Sequence, residues 1–142
     1  MRAYQILVAL GIVVLIGLGF YMLKGTGAPS SSPYSYQNAT ENDIVVGSTL
    51  SLGSKVQIQG EARGYWYFEA SFPIEIKDAT GNTIGNGIAT AQSEWMTEEF
   101  VPFNADINLT TTYSGPATII LKKDNPSGEP DKDASLTYPA TL

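Results

Sequence analysis

From Phe68 to Ile76 the apolar residues take every even position (Phe68, Ala70, Phe72, Ile74, Ile76), with Glu69, Ser71, Pro73 and Glu75 between them. A period of two sends alternate side chains to opposite faces of a pleated strand, so this stretch predicts a strand with one greasy face. Burying one large apolar side chain contributes roughly 1.5–3 kcal/mol, so that face calls for a second layer. Val56, Ile58, Gly60 and Ala62 repeat the alternation, as do Val101, Phe103, Ala105, Ile107 and Leu109, and then Leu136, Tyr138, Ala140 and Leu142. Ile44 to Val46 predicts a first edge strand, extended by Leu50 after a turn at Gly47. Thr83–Ala91 and Thr118–Lys123 supply two more. Gly85 and Gly87 point to a bulge or a close backbone approach. Turn formers at Arg63-Gly64, 78–82 and Ser114-Gly115-Pro116 separate these runs. About seven short strands and no long amphipathic helix over residues 44–142 predict an all-β fold, an immunoglobulin-like β-sandwich.

The pattern changes upstream. Ile6 to Leu23 is apolar and free of charge, and eighteen residues at helical rise span about 27 Å, near the thickness of a bilayer's hydrocarbon core. Residues 1–24 are therefore expected to form one N-terminal transmembrane helix that uses the lipid bilayer as its partner. A cleaved signal peptide is the alternative, but the run exceeds the usual h-region, and Pro29 follows the nearest small-x-small site, Thr26-Gly27-Ala28. Arg2 on the short side favours a cytoplasmic N-terminus, which predicts a single-pass cell-membrane protein with its C-terminal domain outside the cytoplasm. Residues 25–43, rich in Gly, Ser, Pro, Asn and Thr, read as a flexible linker.

Charge narrows the partners. All 14 acidic residues lie beyond residue 40, where they face six basic ones, a net charge of −8. Such a surface repels phosphate backbones, so nucleic acid is excluded as a partner. The chain holds no cysteine and no histidine. Disulfides, thiolate chemistry, serine–histidine catalysis and nitrogen–sulfur zinc sites are thereby ruled out, and no cofactor motif occurs.

Four motifs resemble one known family. They are Gly60-Glu61-Ala62-Arg63-Gly64; Trp66-Tyr67-Phe68-Glu69-Ala70-Ser71-Phe72-Pro73; Trp95-Met96-Thr97 followed by Phe100-Val101-Pro102-Phe103; and Lys123-Asp124-Asn125-Pro126-Ser127-Gly128-Glu129. In that order they are similar to the immunoglobulin-like domain of bacterial spore germination proteins. The resemblance implies an extracytoplasmic bacterial sandwich domain that mediates interactions and has no catalytic residues.

Candidate binding residues follow from chemistry. Tyr65, Trp66 and Tyr67 form the densest aromatic patch, suited to stacking on sugars or anchoring a protein. Trp66 reads equally as a core plug, and Trp95 is expected in the core. Asp124 and Asn125 open a loop of oxygen donors through Asp133, whose spacing does not fit a helix-flanked calcium loop; a structural loop capped by Asp124 or Asn125 is expected. The leading expectation is a membrane-tethered interaction module of the bacterial envelope, without enzymatic activity, that binds an envelope protein or glycan. A pilin-like structural subunit is one alternative. A carboxylate-dependent glycan hydrolase, through Glu98 and Glu99 or Glu69 and Glu75, is another.

Overall fold

The alternating runs become strands that bury one face each. The structure, a computed structural model, describes residues 35–142 and contains eight strands: β1 (Ser35–Gln37), β2 (Ile44–Leu52), β3 (Lys55–Arg63), β4 (Ser71–Asp78), β5 (Thr83–Ala91), β6 (Phe100–Asn108), β7 (Pro116–Lys122) and β8 (Ser135–Thr141). All pair antiparallel in the order β1-β8-β7-β4-β5-β6-β3-β2. Lettered A to G in immunoglobulin fashion, β2 to β8 give an A-B-E layer against C-F-G, with the D strand, β5, paired along its length with C (β4).

One hydrogen-bonded sheet becomes two layers at β5. That strand pairs with β4 from Ser71↔Thr90 to Lys77↔Thr83, but with β6 only at Thr90↔Asn104 and Ala91↔Phe103 and at an isolated bridge, Gly85↔Leu109. Both expectations for the glycines hold. A register shift makes Ile84, next to Gly85, the extra residue of a bulge, and a Cβ on Gly87 would lie 2.6 Å from Ile107. Backbone without a side chain lets β6 close over β5 where the ladder opens.

The core fills the space between layers. Val56, Ile58 and Ala62 of β3, Phe72, Ile74 and Ile76 of β4, and Val101, Phe103 and Ile107 of β6 are all buried, with Ile119, Leu121 and Leu136 from β7 and β8. Phe72 and Phe103 belong to strands that are not neighbours, and their rings meet edge to face at 5.0 Å. That contact crosses the sandwich.

Three expectations change. The alternation from Phe68 does not begin the strand: β4 starts at Ser71, because Glu69 and Ala70 adopt positive φ, 50° and 62°, in a tight turn closed by Phe68–Ser71 backbone hydrogen bonds of 2.9 and 3.1 Å. Gly47 is not a turn but the extra residue of a bulge within a continuous β2. The segment expected as linker contains β1, which pairs with β8 at Ser35↔Thr137, and a buried Ala39. The transmembrane helix expected over residues 1–24 lies outside the described residues; among those described, no helix is long and apolar enough to cross a membrane.

Candidate functional site

Strands β3, β5 and β7 all run toward one end, so the loops after them gather there. A Cβ on Gly64 would lie 1.9 Å from the carbonyl oxygen of Thr97, so only glycine lets the β5–β6 loop cross the β3–β4 loop. The Gly64 amide donates to Glu99 O at 3.1 Å, and the Asp124 amide donates to Trp66 O at 3.0 Å. Arg63 locks the same end. Its Nε donates to Asn42 O at 2.9 Å, Nη1 donates to Glu98 O at 3.2 Å, and the guanidinium stacks 4.1 Å from the centroid of Phe100.

The three expected aromatics part company. Trp66 closes a 3₁₀ turn, Gly64–Trp66, and is only 1 % exposed, packing edge to face on Phe72 at 5.9 Å. Tyr67 is buried as well, its hydroxyl donating to Val101 O at 2.7 Å, and burial pushes its phenol pKa up. Both rings belong to the core. Tyr65 is 48 % exposed. Its hydroxyl donates to the Asp43 carboxylate, and burial together with that anion raises its pKa to about 12. Burial alone would raise the Asp43 carboxyl, but hydrogen bonds from Tyr65 and Thr40 and the charge of Arg63 hold it below its usual range. Trp95, expected in the core, packs against it only in part.

Asp124 and Asn125 do come together with Tyr65. They share a hollow of about 250 Å³ whose lining also includes Tyr67, Phe68, Lys123 and Pro126. The Lys123 ammonium stands 5.6 Å from the centroid of the Tyr65 ring, a cation–π arrangement. Asn125 is structural: its Nδ2 donates to Glu129 O at 2.8 Å and to the Asp133 carboxylate at 2.7 Å, and its Oδ1 accepts from Ser127 at 2.6 Å. Residue-by-residue reading missed Phe68, which the turn at Glu69 and Ala70 leaves 44 % exposed, and Lys123. Nothing local marks either. The ring faces offer a stacking surface, and Lys123 and Asp124 supply a polar rim.

Two of the carboxylates considered above, Glu75 and Glu99, are held by cations. Glu75 accepts from Lys122 at 2.7 Å and from Thr83 at 2.6 Å, with Lys77 at 3.6 Å. Those bonds and charges draw its pKa down to about 2. Glu99 lies 3.8 Å from Arg63. Among the described residues no three acidic side chains gather as a metal site. A wider groove of about 420 Å³ follows the β2 bulge past Val45, Gln59, Glu61 and Asn104, but Phe103, its one aromatic, is buried.

A direct comparison gives the family: the family model described as the immunoglobulin-like domain of bacterial spore germination matches residues 45–129. The chain belongs to this family. The span matched by the spore-germination immunoglobulin-like domain runs from β2 into the β7–β8 loop, so it contains Tyr65, Phe68, Lys123, Asp124 and Asn125. Neither curated proteins nor solved structures give a match.

Proposed function

We propose that this chain is a membrane-tethered, extracytoplasmic interaction module of the bacterial envelope, a binding domain and not an enzyme, whose partner docks on the loop end. The observation that supports it is the placing of exposed apolar side chains: Tyr65, Phe68 and Met96 all stand on the loops gathered there. Exposed rings beside a hollow with a polar rim suit a glycan or a protein partner of the envelope. The apolar run Ile6 to Leu23 supplies the tether, and the acidic remainder agrees with a domain outside the cytoplasm.

Expressed in a bacterial host, the full chain should sediment with membranes through a carbonate wash. Protease added to intact spheroplasts should remove its strand domain. Recovery in the soluble cytosol, or full protection from that protease, would overturn the placement.

A further inference from the structure

Three of the remaining exposed large apolar side chains, Val45, Leu50 and Leu52, stand on one strand, β2. It is the last strand of the sheet, so its outer row of backbone groups pairs with no described strand. Natural sheets protect such edges with lysine, proline, inward charge or a bulge. The nine residues of β2, Ile-Val-Val-Gly-Ser-Thr-Leu-Ser-Leu, include no charge and no proline, and the bulge at Gly47 leaves Ser48 to Leu52 in regular register with β3. This edge is open.

We infer that a second copy of this chain pairs with it, Ser48 to Leu52 antiparallel to the same residues of the other copy, about a two-fold axis at Leu50. Three observations select that occupant and that register. The outward pattern is self-complementary: Leu50 opposes Leu50 of the other copy, and Leu52 opposes its Ser48, so four leucines, each half or more exposed when alone, share one face across the axis. The inward pattern resolves a polar defect. Thr49 Oγ1 is the one buried side-chain oxygen among the described residues with no hydrogen-bond partner; the pairing sets it opposite Ser51 of the other copy, and threonine–serine hydrogen bonds of this kind stabilise antiparallel pairs. Finally, the seam escapes the domain's negative charge. The β3 residues beside it are Gln59, Gln57 and Lys55, opposite Ser48, Leu50 and Leu52, so no two carboxylates meet there. An isologous contact of this kind closes on itself and stops at a dimer.

The absence of cysteine makes the register directly readable in the full chain held in mild detergent. Leu50→Cys places two thiols opposite one another on the axis, Leu52→Cys places each opposite a serine, and Asn86→Cys exposes a thiol from the internal strand β5. Under mild oxidation Leu50→Cys should form disulfide-linked dimer at least about tenfold faster than Asn86→Cys, the gain expected from a high effective concentration, with Leu52→Cys slower than Leu50→Cys. Leu50→Lys, which sets two like charges face to face, should sediment as a smaller species with unchanged far-ultraviolet dichroism. Equal crosslinking of Leu50→Cys and Asn86→Cys would overturn the pairing, and faster crosslinking of Leu52→Cys would overturn the register.

Discussion

Ala70 at φ 62° and Glu69 at φ 50° hold a conformation that costs an L-residue roughly 1–2 kcal/mol. That local cost has a clear consequence, because the turn sends Phe68 out beside Tyr65 instead of into the core. Ala70→Gly should relieve the strain and recover about 0.5–1 kcal/mol net, after the glycine's extra unfolded-state entropy is subtracted. A shift of the urea midpoint to higher concentration at constant slope would show it; a midpoint that falls would mean Ala70 is not strained. The same turn explains what the sequence pattern could not reveal. Glu-Ala is not a turn-forming dipeptide, and even positions from Phe68 look like one uninterrupted strand. Trp66 had two readings on composition alone, and only its place under the β7–β8 loop, against Phe72 at 5.9 Å, decides for the core.

At the level of elements, strands that bury one whole face were legible and those that deviate were not. β3 and β6 follow their alternation residue by residue, because each lies inside the sheet with one face on the core. β2 is an edge with a bulge, so its inward set switches from even to odd positions after Gly47, and periodicity reads the break as a turn. β4 and β7 are joined on their outer face by Glu75, with Lys122 at 2.7 Å and Thr83 from β5 at 2.6 Å. The Glu75 pKa falls from 4.5 to about 2 in the folded chain. A depressed carboxyl pKa stabilises the fold fully above the unfolded value, and that stability is lost as pH falls toward the folded one. Asp43 and Asp78 shift in the same direction. Melting temperature should therefore drop between about pH 5 and pH 2, and the drop should be shallower in Glu75→Gln. Identical pH profiles for the two chains would show that Glu75 is not coupled to folding.

For the whole molecule, turn spacing and family motifs together made the sandwich legible. The strand order did not follow from alternation, because periodicity gives each strand's inner face but not its neighbours. The candidate site was half legible for a related reason. Tyr65 and Asp124 are far apart in sequence, and it is the folding of β5 over β6 that puts the β3–β4 and β7–β8 loops on the same end. Once that is seen, the candidate surface shifts from the aromatic triplet to Tyr65 and Phe68 with Lys123, while Trp66 and Tyr67 pack on Phe72 in the core. The most direct measurement is site-specific photocrosslinking in living bacterial cells that carry the full chain, with a benzophenone side chain at Phe68 or, as reference, at Asn86. A discrete adduct with an envelope component from position 68, weakened by Tyr65→Ala and absent from position 86, is the expected result. No adduct from position 68, or the same adducts from both positions, would contradict a partner at the loop end.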